Sequence, residues 1–346
     1  MSHTAKSQSA QRSPLTTGRV YLVSDDLTAD ALTDEIDLIH LSPLNYRLKA
    51  YFKRADYLLV ESAWQGQNNK WKYKIANYPD HPKRTNKSLQ RLVDFAKNCG
   101  IPTVFWNKED GAHFSRFIDS AKLFDHIFTV DENCIDDYRR IVPPATTINT
   151  LMFAVQPSIH YPNNPGIRPA NRATFIGSYG KHIHHARRAW QDMIFQAASD
   201  SNFPLLVVDR NSDRKNDAYR FPHFSNITVL PRVSYSDTAD LYRNNVISLN
   251  VNTVTDSKTM YSRRLVEILA CGGIAVSNPA VSVQTIFKDY CHIIDSPEQA
   301  QELFSRFRID GPSLSDLEMA VSGAEYVAKN HTWAHRLAQI SEVLRA

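Results

Sequence analysis

The stretch Leu249–Val276, LNVNTVTDSKTMYSRRLVEILACGGIAV, decides how the chain is read. Ile247, Leu249 and Val251 alternate with Ser248, Asn250 and Asn252, the period-two pattern of a strand. Thr253 to Thr259 is polar and carries Asp256, Ser257 and Lys258. From Met260 to Cys271 the apolar residues Leu265, Ile268 and Leu269 recur at helical spacing. Gly272 and Gly273 stop that helix, because glycine enters the left-handed region without a Cβ clash. Ile274 to Val276 then opens another buried strand. The unit reads as strand, polar loop, helix and strand, with Ser262, Arg263, Arg264 and Glu267 at the helix start facing the loop.

Guanidinium groups beside the free backbone N–H groups of a helix N-terminus suit a phosphate. A carboxylate one turn further in suits sugar hydroxyls, so the set fits a nucleoside diphosphate-sugar. The stretch resembles the donor-binding segment of GT-B glycosyltransferases, specifically the CgeB-like (spore-maturation-protein-like) group. In that group a strand ending in N-x-N, a D-S-x-T-M loop and an S-R-R-x-x-E helix followed by A-C/S-G recur together. Asn250, Asn252, Asp256, Ser257, Thr259, Met260, Ser262, Arg263, Arg264, Glu267, Ala270 and Gly272 match. The blocks E-S-A-W-x-G from Glu61, F-W-N-K-E-D-x-x-H-F from Phe105, A-K-L-F-D-x-I-F-T from Ala121 and H-T-W-A-H-R from His331 extend the resemblance over most of residues 55–340.

The resemblance implies an α/β GT-B fold: two Rossmann-like, doubly wound domains facing each other across a cleft. It implies a nucleotide-sugar donor in the second domain, an acceptor in the first, and a C-terminal helix returning toward the first. In retaining GT-B enzymes with an E-x7-E motif, the later Glu lies in an E-x-x-A-x-G context and binds the nucleotide ribose. Glu267 stands in that place, and retention is the implied outcome. The earlier position is Thr259, a departure that bears on the donor-sugar contact and the stereochemistry.

At 346 residues, 42% hydrophobic and 22% charged, the chain is long enough for two ordinary domains. No apolar run reaches the roughly 18 residues of a membrane span. Residues 1–17 are polar and read as a disordered tail, not a secretory signal. The four cysteines include no C-x-x-C pair and fit reduced, mostly buried thiols in a cytoplasmic protein. A net charge of +4 permits an anionic substrate or a peripheral contact with the inner face of a membrane and demands neither.

Strand and helix patterns alternate along both halves, as a parallel sheet covered by helices requires. The expected strands of the first half are Arg19–Ser24, Ile36–Leu41, Tyr57–Glu61, Thr103–Trp106 and His126–Val130. Val142 to Arg172 is proline-rich and reads as a linker, with the domain boundary at Pro165. The expected domains are 18–164 for acceptor and 165–330 for donor, followed by a C-terminal helix in 331–346.

Ligands in such sheets bind outside the carboxyl ends of the strands. Three first-domain loops qualify: Asp25-Asp26, Glu61 to Asn69 and Asn107 to His113. Glu109, Asp110 and His113 are the catalytic candidates, able to take a proton from an acceptor hydroxyl or to hold the donor sugar. Acidic residues there equally stabilise a helix dipole without catalysis. Glu61 and Trp64 are expected at the acceptor, the sugar ring against the indole and its hydroxyls on the carboxylate. In the second domain Gly177 and Tyr179, within a G-S-Y-G turn before a helix, join Arg210, Asn252, Thr259, Arg263, Arg264 and Glu267 as donor-binding candidates. The run Lys181–Arg188 reads as a solvated basic face. No D-x-D triplet occurs, so a donor site without metal, built on arginines and helix dipoles, is expected. The expected partners are a nucleotide-sugar donor and a glycan or lipid-linked acceptor, with no cofactor and no nucleic acid. The alternative is a nucleotide-sugar-binding or nucleic-acid-binding module without turnover.

Overall fold

A computed structural model describes residues 18–164 and 166–346. The tail 1–17 and the boundary residue Pro165 lie outside the described residues.

The first half runs β1 (Arg19–Val23), α1 (Asp26–Leu32), β2 (Asp37–His40), α2 (Tyr46–Phe52), β3 (Tyr57–Glu61), α3 (Lys87–Asn98), β4 (Thr103–Asn107), α4 (Phe114–Ala121), β5 (His126–Thr129), α5 (Ile135–Ile141) and β6 (Thr147–Thr150). Its six strands form one parallel sheet in the order β2-β1-β3-β4-β5-β6. β3 and β4 are buried along their whole length because helices cover both faces.

The second half runs β7 (Ala170–Gly177), α6 (His185–Asp200), β8 (Leu205–Asp209), β9 (Ile227–Pro231), α7 (Tyr235–Arg243), β10 (Asn245–Asn250), α8 (Arg263–Ala270), β11 (Ile274–Ser277), β12 (Cys291–Ile293), α9 (Pro297–Asp310), α10 (Leu314–Asn330) and α11 (Trp333–Arg345). Again the sheet is parallel, ordered β12-β11-β10-β7-β8-β9. In both sheets the strand order reverses near the first strand, which opens a crevice at the carboxyl ends.

The structure corrects several sequence expectations. Residues 142–172 are not merely a linker, since they hold β6 and the start of β7. β6, with the sequence TINT, is a half-exposed edge strand, so burial never shaped an apolar pattern there. α1 is an additional helix whose seven residues are too few to show a period. α8 begins at Arg263, three residues later than its apolar spacing suggests. β10 shows polar-apolar alternation yet is buried along its whole length, and part of its polar side is satisfied across the sheet: Asn250 Nδ2 donates to Ser277 Oγ of β11 (2.9 Å). Cys134, Cys271 and Cys291 are buried and Cys99 is exposed, all unpaired.

The chain crosses back near its end. The backbone of Val155 pairs with Thr332, Trp333 packs edge-on against Trp106 at 5.2 Å, and Arg336 donates to the carbonyls of Met152 and Phe153 (2.8 and 3.2 Å). Burial and the Arg336 cation hold the neighbouring His331 ring neutral, down to about 3. The polar loop 253–260 is a second tie between the halves. Thr259 Oγ1 donates to the Val130 carbonyl (2.9 Å) and accepts from the Glu132 amide (2.9 Å). Gly111 makes room for that loop: a Cβ there would stand 2.8 Å from Val254 and 2.6 Å from an Asp131 oxygen, at a φ of +79°.

Candidate active site

A cavity of about 660 Å³ opens between the carboxyl ends of the two sheets. That is ample for a nucleotide-sugar, since small-molecule sites run to roughly 300–1,000 Å³. Its walls differ in charge. The second half contributes Arg187, Arg210, Arg263 and Arg264 with the carboxylate Glu267. The first half contributes Asp25, Asp26, Asp30 and Glu109 with the ammonium Lys108.

The start of α8 builds the cationic wall. Asn252 Oδ1, at the end of β10, accepts from the Ser262 amide (2.7 Å), and Asn252 is held in turn by Asn278 Oδ1 (3.0 Å). The Ser262 side chain makes no cap hydrogen bond. Arg263 Nε donates to Glu267 Oε1 at 2.7 Å, one helical turn apart. Burial alone would raise the Glu267 carboxyl; the charges of Arg263, His160 and Arg264 more than offset it and hold the group below its ordinary value, ionised. Glu267 is thus fixed as an acceptor for hydroxyl donors.

Arg264 runs beneath β7. Its Nε donates to the Ile176 carbonyl (2.6 Å) and its guanidinium lies 4.9 Å from the Phe175 ring. Gly177 permits this, since a Cβ there would meet Phe175 at 2.5 Å and Arg264 Nη2 at 3.0 Å. Arg264 Nη1 is buried without a partner. Arg187, in the first turn of α6, reaches the same space. It donates to the Ser178 carbonyl and to Thr253 Oγ1 (3.3 Å each), and its buried Nε has no partner. Burial and the cations Arg264 and Arg210 push the Arg187 guanidinium well below its usual value. Burial likewise lowers Arg264, with Arg210 and Arg263 adding to it. A buried donor left unmade costs about 1–3 kcal/mol, so this wall is short of an anion.

On the opposite wall, Lys108 Nζ donates to Glu61 Oε1 (2.9 Å) and lies 3.4 Å from Asp25 Oδ2. Burial opposes the Lys108 charge, but Glu61 and Asp25 more than compensate and keep it protonated. Glu109 lines the cavity beside Lys108.

The structure therefore gathers Arg210, Asn252, Arg263, Arg264 and Glu267 on one side and Glu109 on the other, with Gly177 beneath them. The remaining candidates lie elsewhere. Asp110 is wholly buried, accepting from Asn107 Nδ2 (2.5 Å) and Tyr138 Oη (2.9 Å), and burial pushes its carboxyl up to about 7. His113 stands just ahead of α4, its ring edge-on to Trp64 at 5.3 Å. Trp64 also packs edge-on against Phe117 at 5.0 Å and stays half-buried at the margin of the first-half core, outside the cavity lining. Glu61 is buried and spends both oxygens, on the Asp25 amide, Lys108 and Thr28. Tyr179 is not among the residues lining the cavity, and its hydroxyl donates to Asp192 Oδ1 (2.5 Å). Thr259 is occupied by the tie between the halves.

Sequence reasoning missed Arg187, Lys108 and the tyrosines Tyr235 and Tyr242 that line the floor. Arg187 was hidden among the exposed cations of Lys181–Arg188. Its one distinguishing signal is its place on the first turn of a helix that follows a strand ending in glycine.

A model of the glycosyl transferase-like family matches residues 167–342, just over half of the chain. The chain belongs to that family. The match covers the sheet and helices that carry the arginine wall. No curated protein sequence matches the chain. Solved glycosyltransferases share the architecture along nearly its whole length. Sucrose-phosphate synthase from Thermosynechococcus elongatus is 11% identical, with 95% of this chain and 98% of that one covered and a TM-score of 0.52. HepE from Anabaena, bound to UDP and glucose, is 12% identical, with 95% and 91% covered and a TM-score of 0.57. An alpha-glucosyltransferase bound to UDP and a 13-mer DNA with a central A:G mismatch is 12% identical, with 93% and 87% covered and a TM-score of 0.60. The fold is GT-B. Among the described residues no helix is long and apolar enough to cross a membrane, and no three His, Cys, Asp or Glu side chains are grouped to hold a metal ion.

Proposed function

We propose that this glycosyl transferase-like protein moves a sugar from a nucleoside diphosphate-sugar to a glycan or lipid-linked acceptor, within the CgeB-like group and in bacterial surface polysaccharide synthesis. The observation that carries the reading is the convergence of Arg187, Arg210 and Arg264, two of them with an unpartnered buried guanidinium nitrogen. A diphosphate supplies the missing acceptors. As the glycosidic bond breaks, charge grows on the diphosphate, and donors already in place stabilise it without reorganising. The guanidiniums supply that charge locally, so the reading is metal-independent. Arg263 orients Glu267, whose carboxylate accepts from the ribose hydroxyls. Glu109, facing from the first half, takes the acceptor proton or holds the donor sugar; we assign retention of configuration from the pattern around Glu267. The donor domain is the second and the acceptor domain the first, with the enzyme working at the cytoplasmic face of the membrane.

UDP is named with two of the structural neighbours, which makes uridine the first base to test. DNA is named with one of them. Here the acceptor wall carries Asp25, Asp26, Asp30 and Glu109, which repel a polyanion, so a glycan is the better fit. The test is a thermal-shift panel of UDP, GDP, CMP and dTDP, followed by turnover with matching nucleotide-sugars and product NMR. One selective stabiliser with transfer from its sugar is expected. Equal, salt-sensitive stabilisation by oligonucleotides with none by nucleotides would replace the reading with a nucleic-acid-binding module.

A further inference from the structure

Helix α2 presents its apolar side outward. Of its seven residues only Tyr46 is buried, while Leu48, Tyr51 and Phe52 are 64%, 83% and 72% exposed. Leu44, in the turn ahead of it, is 98% exposed. Within α2, positions 48, 51 and 52 share one helical side, and Leu44 adds a fourth exposed apolar group from the turn that precedes it. Single exposed apolar residues are ordinary, but four large ones within one short segment mark a contact surface.

The charge around that face is one-sided. The whole chain nearly balances 40 basic residues against 36 acidic ones. From Ser42 to Ala55, however, there are Arg47, Lys49, Lys53 and Arg54 and no acidic residue. The neighbouring loop adds exposed Lys70 and Lys72, and it is fastened to this region by Trp71 Nε1, which donates to the Leu41 carbonyl (2.8 Å). The same loop reaches the cleft: the Asn68 amide donates to Asp26 Oδ1 (3.3 Å), and Asp26 lines the cavity. The apolar, cationic surface therefore adjoins the acceptor side of the cleft mouth.

We propose that α2 and the turn before it dock the protein on an anionic membrane surface. Leu44, Leu48, Tyr51 and Phe52 enter the boundary between headgroups and acyl chains, and the surrounding cations meet lipid phosphates. A protein partner would need acidic and polar groups matched to a seven-residue helix, whereas a lipid surface needs only the apolar tips and collar of positive charge found here. The inference rests on the reading of the acceptor as lipid-linked, and it names the surface that brings the cleft to it.

The test is co-sedimentation of the full chain with vesicles of equal parts phosphatidylcholine and phosphatidylglycerol, and with phosphatidylcholine alone. The protein is expected to pellet with the anionic vesicles and to be released by salt. Leu48→Ser/Tyr51→Ser/Phe52→Ser and, separately, Arg47→Gln/Lys53→Gln should each lower the bound fraction about tenfold. These side chains lie outside the cleft, so nucleotide-induced thermal shifts in the same preparations should match the wild type. Wild-type protein left in the supernatant overturns the proposal, as does binding that neither variant changes. A shift from dimer to monomer in the apolar variant, with no vesicle binding by the wild type, overturns it in favour of an interface between copies. Vesicle binding without any nucleotide response would leave the surface standing and refute the glycosyltransferase reading; the reverse would refute only the surface.

Discussion

The two walls of the cleft belong to similar folds and do different electrostatic work. The second-domain wall sets Arg187, Arg210, Arg263 and Arg264 against one carboxylate, and buried guanidinium nitrogens there lack partners. The first-domain wall sets four carboxylates against Lys108, which Glu61 and Asp25 already satisfy. One side is short of an anion and the other is not. The proposed division of donor from acceptor rests on that asymmetry rather than on the shared βα architecture.

The asymmetry is breakable in order of expected effect. Arg264→Ala and Glu267→Gln should each lower kcat/KM by about 100- to 1,000-fold, the scale of losing a donor aimed at developing charge. Nucleotide affinity should fall with it, read by titration calorimetry; near-normal rates in both would remove the donor assignment. Glu109→Gln should lower kcat by about 100-fold while leaving nucleotide affinity intact, because it acts from the opposite wall. Affinity falling in step with rate would place Glu109 on the donor instead.

Asp110 sharpens the contrast between lining and burial. Its carboxyl stays protonated in the folded protein up to about 7, while an unfolded chain releases the proton near about pH 4. The folded state therefore binds more protons between those values, and stability falls as pH rises through that window. Asp110→Asn should flatten this slope, read as denaturant midpoints that no longer fall between about pH 4 and about pH 7. A slope unchanged by the substitution would contradict the burial argument. Thr259→Val breaks the two hydrogen bonds that the Thr259 hydroxyl makes between the halves and should lower stability by about 1 kcal/mol, seen as a drop in Tm, with KM rising more than kcat falls. His113→Ala, outside the cavity, should alter kcat/KM by less than about threefold. A large loss of turnover with intact folding would bring His113 back to the chemistry.

The legibility of the sequence followed burial. Strands such as Tyr57–Glu61 and Leu205–Asp209, covered on both faces, stand out as apolar runs. β6 and α1 do not, one because it is a half-exposed edge and the other because it is a single short helix. α8 was legible as a helix after β10 but not in its first turn, because the apolar spacing runs on to Met260 while the helix begins at Arg263. The first-domain loops were legible as a place but not as roles. Asp110, His113, Trp64 and Glu109 share one region of chain, and only packing shows that Tyr138, Phe117 and Lys108 sort them into core and cleft. Thr259 and Tyr179 fell in loops of the right character, but each is committed to a partner that is distant in sequence or one helical face away.

The most direct measurement is titration calorimetry of UDP against UMP, on wild type and on Arg187→Ala/Arg264→Ala. The account predicts that UDP binds the wild type at least about tenfold more tightly than UMP and that the double variant erases this preference, because the second phosphate is what the orphaned guanidiniums await. Equal affinity for both nucleotides in the wild type, or a preference for UDP that survives the loss of both arginines, would contradict it.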